Sequence, residues 1–203
     1  MKDNNQIVLF FENGTLYNPA KVASEISEKY KKIGQPIILP IDGNAPKEAN
    51  IPILIFDQNI NFWVISNFNN IAITLFEGDI SNQSKIIENI FKIFSSYAKI
   101  IRVGYIVTRV LDKKNINTIK DKYFKDVETI NSLSFNLAWY NKIQIEKEEV
   151  NCWKRYFTDT KAFEGVVSLI DINTPEEKQI DINLQYLTKF MKESEEYIKN
   201  NKL

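Results

Sequence analysis

Between Leu133 and Asp171 apolar and polar residues alternate in successive short runs, the period of a strand with one buried face. The runs are Ser134-Phe135-Asn136-Leu137-Ala138-Trp139, Ile143-Gln144-Ile145-Glu146, and Val150-Asn151-Cys152-Trp153-Lys154-Arg155-Tyr156-Phe157. Val166 to Ile172 closes the group. Strands that follow one another this closely pair as an antiparallel meander, because parallel pairing needs a long crossover. One face of such a meander needs a cover, and the rest of the chain must supply it.

Upstream, Ile7-Val8-Leu9-Phe10-Phe11 reads as a strand. Asn18-Pro19 offers a cap and a first-turn proline for a helix with Val22, Ala23, Ile26, Tyr30 and Ile33 on one face, stopped at Gly34. Ile37 to Leu39 lies between two prolines and suits a sheet edge. Asp42 to Asn50 reads as a surface loop. Ile53 to Phe56, Asn61 to Ser66 and Ile71 to Phe76 form a second meander, turning at Asp57-Gln58-Asn59 and Asn67 to Asn70. A helix from Ser81 or Asn82 carries Ile86, Ile87, Ile90, Phe91, Phe94 and Tyr97, a broad apolar stripe suited to a sheet face. It feeds a long strand, Ile100 to Leu111. Asp112 to Asn131 is polar, helical or irregular, anchored by Ile116, Ile119, Tyr123 and Phe124. Thr174-Pro175-Glu176-Glu177 has the order of a helix start. A last helix presents Leu184, Leu187, Phe190, Met191, Tyr197 and Ile198.

The expected fold class is therefore α+β, a mostly antiparallel sheet packed by helices. A ferredoxin-like first half fits, and so does one sheet running through both halves. The chain reads as a single domain, 1–203, with halves 1–111 and 112–203 sharing one core.

Composition removes several chemistries. The 203 residues contain no histidine and one cysteine. A thiolate nucleophile usually needs a histidine base, so Cys152 is expected to be a packed strand residue. There is no G-x-x-x-x-G-K or G-x-G-x-x-G stretch to cradle phosphate. The acidic residues Glu146, Glu148 and Glu149 form one local group; others are Asp171 with Glu176, Glu177 and Asp181, and Glu193 with Glu195 and Glu196. Solvated faces explain them, with Glu146 and Glu148 on one strand face as the single hint of convergence. No cofactor, metal or catalytic residue is assigned.

Lys plus Arg and Asp plus Glu number 26 each, a balance that argues against a dedicated nucleic-acid binder. No apolar run approaches the about 20 residues that cross a bilayer, and no leader-like segment opens the sequence. With a lone cysteine, the expectation is a cytoplasmic protein without membrane association. Lysine dominates over arginine, and isoleucine and asparagine abound, a bias of AT-rich genomes such as low-GC bacteria and their phages.

Trp63, Trp139 and Trp153 all fall in expected strands, accompanied by Tyr105, Tyr140 and Tyr156. Most such rings pack in cores, but an open sheet face bearing aromatics and cations can also bind a protein or stack single-stranded bases. The candidate interaction surface is Trp153, Lys154, Arg155 and Tyr156, with Arg102 and Arg109. Arg102 and Arg109 lie seven residues apart on one strand, hence on opposite faces, as do neighbours Lys154 and Arg155.

The strand Arg102-Val103-Gly104-Tyr105 leading to Arg109 and the segment Gly165-Val166-Val167 through Asp171-Ile172-Asn173-Thr174 resemble a sporadically distributed, uncharacterised family of bacterial proteins. Where that family's strand has polar positions, this chain has Ile106 and Val107. The resemblance implies a bacterial or mobile-element setting and no catalytic residues. The leading expectation is a non-enzymatic module that binds a protein partner, such as an inhibitor or accessory subunit in phage–host conflict. The alternatives are a nucleic-acid-binding module and an enzyme working with carboxylates and lysines alone.

Overall fold

The computed structural model describes residues 4–12, 24–25, 28, 37–38, 53–57, 62–66, 69–76, 80–123, 135–158 and 166–201. Among these residues nine strands form one antiparallel sheet: β1 (Asn4–Phe11), β2 (Ile37–Ile38), β3 (Ile53–Asp57), β4 (Phe62–Ser66), β5 (Asn70–Leu75), β6 (Ile100–Leu111), β7 (Asn136–Ile145), β8 (Glu148–Thr158) and β9 (Val166–Asn173). Among the described residues three complete helices accompany it: α1 (Ile80–Ser95), α2 (Lys113–Tyr123) and α3 (Leu184–Asn200). The strand order is β2-β3-β4-β5-β1-β6-β9-β8-β7. The fold is α+β, as expected. Within it, β4-β5-β1-β6 follows the order of a ferredoxin-like half, with α1 crossing between β5 and β6. The helix expected over 18–34 lies outside the described residues except for Ser24, Glu25 and Glu28, which are helical. The loop expected over 42–50 and the turns at 58–59 and 67–68 also lie outside them.

The period-2 pattern sorts the sheet into two faces. Ile7 of β1 aligns with Ile73 of β5 and Tyr105 of β6, and the row continues through Ile172 of β9 to Cys152 of β8. All five are buried. Helices α1 and α3 cover this row with Ile87, Ile90, Phe94, Leu187, Phe190 and Met191, spaced so that one face of each helix is apolar. Burying a side chain of this size is worth about 1.5–3 kcal/mol, and the shared core draws on both ends of the sheet. A second cluster under α2 joins Ile119 to Tyr156 and Val166.

Two local expectations are corrected. Thr174 does not cap a helix. It is fully buried, and its hydroxyl accepts from Val103 N–H at 3.1 Å and donates to Val103 carbonyl at 3.3 Å. It thus pins the end of β9 to β6. The cap of α3 is Asn183, whose side-chain oxygen accepts from Tyr186 N–H at 2.9 Å. Glu146 is not a strand residue either. Ile145 pairs with Glu148, so Glu146 and Lys147 form the two-residue turn of the β7–β8 hairpin, both at positive φ (50° and 67°). That geometry is favoured for hairpins because its twist matches the strands, but it normally uses Asn and Gly.

A lysine held left-handed is strained, whereas glycine is not. Lys147→Gly should therefore stabilise the protein by about 0.5–1 kcal/mol, read as a higher urea midpoint. A lower midpoint would mean that the lysine side chain contributes more than its backbone costs.

Candidate interaction surface

The six residues of the candidate interaction surface divide between the two faces, as strand alternation requires of Lys154 and Arg155 and of Arg102 and Arg109. Register places Lys154 and Tyr156 on the helix-covered face, with Arg109 in line with Ser168 and Tyr156. Tyr156 is 5% exposed and meets Trp139 edge-on at 5.6 Å. Burial pushes its hydroxyl up, against the opposing charge of Arg109. Lys154 donates to Asn201 carbonyl at 3.2 Å. Trp153, Arg155 and Arg102 lie on the opposite face. The cause is the pleat: consecutive strand residues cannot share a face.

On that opposite face Trp153 is joined by Tyr140, its cross-strand partner on β7. The rings lie 4.7 Å apart at 47°, and remain 45% and 47% exposed. The next residue across the sheet is Asp171, then Ile106 and Gln6. A hydrogen-bond chain runs beside the pair: Tyr140 hydroxyl donates to Asn151 at 2.8 Å, Asn151 to Asn173 at 3.2 Å, and Asn173 to the Asp171 carboxylate at 3.0 Å. Burial raises the Asp171 carboxyl above the usual range; the Asn173 bond and the Arg102 charge pull it back only in part. The chain orients Tyr140 and leaves its ring outward. Farther along the same face Val8 and Thr74 are buried, so the exposed part is the β7–β8 end.

The cations of this end are engaged. Lys142 pairs with Glu149 at 2.6 Å. Arg155 donates to Asn136 at 2.8 Å and lies over Phe157. Arg102 donates to Thr174 carbonyl at 3.3 Å, approaches Glu176 at 3.6 Å and stacks on Phe10. At the sheet edge, β7 has ten residues and pairs, among the described residues, with β8 alone.

The acidic residues do not share a strand face. Glu146 pairs with Lys189 at 3.2 Å, Glu148 pairs with Lys178, and Glu193 accepts from Glu146 N–H at 2.6 Å. With burial, these three carboxylates push the nearby Tyr186 hydroxyl up to about 12. Among the described residues no group of three or more Cys, Asp or Glu is placed to hold a metal ion.

In the sequence Asn151 and Asn173 do not stand out as site residues, Asp171 does so only within an acidic group, and Tyr140 only as an accompanying ring. The signal was the turn: counting outward from Glu146-Lys147 pairs Tyr140 with Trp153.

Cys152 is fully buried on the covered face, and desolvation pushes its thiol up. Native protein at pH 8 should therefore react with a disulfide reagent at least about 1000-fold more slowly than urea-unfolded protein. Comparable rates would show that the thiol reaches solvent.

Compared with known proteins, the chain matches no protein-family model and no curated protein sequence.

Proposed function

We propose that this chain is a non-enzymatic interaction module that binds a protein partner through the β7 edge and the adjoining Tyr140–Trp153 face. The exposed aromatic pair carries this assignment. Aromatic rings dominate the energetics of protein interfaces, and here two pack side by side, with Tyr140 held by a hydrogen bond to Asn151. Among the described residues the edge is open, and its backbone donors and acceptors suit an extended segment of a partner added as a further strand.

A protein partner is favoured over a nucleic acid by the state of the cations. Phosphate binding needs lysines and arginines free to meet it, and Lys142, Arg155 and Arg102 are each committed to acceptors in the protein. The carboxylate–lysine enzyme is disfavoured because Glu146 and Glu148 are each neutralised by a separate lysine. No described helix is long and apolar enough to cross a membrane. The lysine-rich, isoleucine-rich composition supports a low-GC bacterium or its phage as the setting, with inhibition or accessory binding in phage–host conflict as the role.

The test compares immobilised wild-type protein with the double variant Tyr140→Ala/Trp153→Ala, both exposed to lysate of the native host at physiological salt. Quantitative mass spectrometry should find a protein retained in stoichiometric amount by the wild type and depleted at least about tenfold by the variant. Equal retention by both, or retention abolished by nuclease, would contradict the assignment.

A further inference from the structure

On the covered face, the residues that do not join the Tyr140–Trp153 surface gather around a cleft of about 530 Å³. It opens between α2, the C-terminal end of α3 and strands β7 and β8. Its volume lies within the roughly 300–1,000 Å³ of small-molecule sites. One wall carries three aromatic rings packed tilted and edge-on. Tyr123 of α2 lies 5.0 Å from Trp139 of β7, and Trp139 lies 5.6 Å from Tyr156 of β8. Tyr123 is 38% exposed, so the wall has an open face.

Two lysines complete the cleft. Lys122 places its ammonium 5.2 Å from the Tyr123 ring centre. Lys154 rises from the sheet itself; its ammonium is anchored by Asn201 carbonyl and lies 5.9 Å from the Tyr197 ring centre. No carboxylate lines the cleft among the described residues. The carbonyl end of α3 adds a partial negative charge beside Lys154, which fixes that ammonium in place and leaves Lys122 as the less constrained cation.

An aromatic wall whose rings are tilted by 48° and 75° to one another, with an ammonium beside it and no carboxylate among the described lining residues, suits a ligand that carries both an aromatic ring and an anionic group. An uncharged aromatic would leave the lysines unused, and inorganic phosphate would leave the wall unused. We infer that this cleft binds a free mononucleotide, the base against the exposed Tyr123 ring and the phosphate toward Lys122, the cation that Asn201 and the end of α3 do not hold. Lysine suits phosphate as a point charge, and base stacking on aromatic rings tolerates any base, so discrimination among bases is expected to be modest. The site lies on the other face of the sheet from the Tyr140–Trp153 pair and does not depend on it.

Isothermal titration of the intact protein with ATP, GTP, CTP and UTP tests this, with adenosine and inorganic phosphate as partial ligands. At least one nucleotide should bind saturably at one site below about 1 mM, and adenosine and phosphate should each bind at least roughly tenfold more weakly. Lys122→Gln and Tyr123→Ala, both at exposed positions, should each weaken nucleotide binding roughly fivefold or more. Tyr140→Ala/Trp153→Ala should leave it unchanged, which separates failure here from failure of the protein-partner assignment. Absence of saturable binding by all four nucleotides would overturn the inference. So would affinity unaltered in both cleft variants. A single-stranded oligonucleotide that binds at least roughly tenfold more tightly, and is lost in the same variants, would replace the free nucleotide with nucleic acid.

Discussion

The pairing of β6 with β9 is the contact on which the remaining architecture depends. β6 is twelve residues long and bonds β1 on one side and β9 on the other. The β6–β9 ladder runs from Gly104–Asn173 to Leu111–Val166, and Thr174 extends it with hydroxyl and backbone bonds to Val103. Through this seam two meanders become one sheet. Joined, they let α1 and α3 pack over a common row that runs from Ile73 to Cys152. The long-range cost of closing the seam is offset by apolar area from both halves.

Packing α1, α2 and α3 on one face determines what the described sheet leaves for binding. The covered face takes the apolar rows and, at its β7–β8 end, the aromatic cleft under α2. The other face has no described helix over β7 and β8, and there the sheet shows Tyr140 and Trp153 to solvent. Both surfaces come from the same strand, β8, whose alternate residues point in opposite directions: Trp153 and Arg155 one way, Cys152, Lys154 and Tyr156 the other. One segment therefore contributes to two surfaces of different chemistry, an exposed aromatic pair on one face and a lysine-bearing aromatic cleft on the other.

The sheet and its helices were legible because hydrophobic periodicity is strong in Ile100–Leu111, Ile80–Ser95 and Leu184–Asn200. Fold class and most strand positions follow from that signal alone. The site was less legible for two physical reasons. The hairpin turn is built from Glu146 and Lys147, neither of which is a usual turn residue, so the register of β7 on β8 was hidden, and with it the Tyr140–Trp153 pair. Alternation also says which residues share a face without saying which face the helices cover. That choice is made by tertiary packing, and it decided that Tyr156 would be buried and Trp153 exposed. Thr174 shows the same limit: its sequence context fits a helix cap, and a strand of the other half took its hydroxyl instead.

If the seam makes one cooperative sheet, the two halves must open together. Native-state amide hydrogen exchange measures this directly. The slowest amides of β1, in the first half, and of β9, in the second, should exchange through openings of equal free energy and equal denaturant dependence. A distinctly lower opening free energy for β7–β9, with β1 and β5 still protected, would show two separable units joined at β6 and would contradict the account.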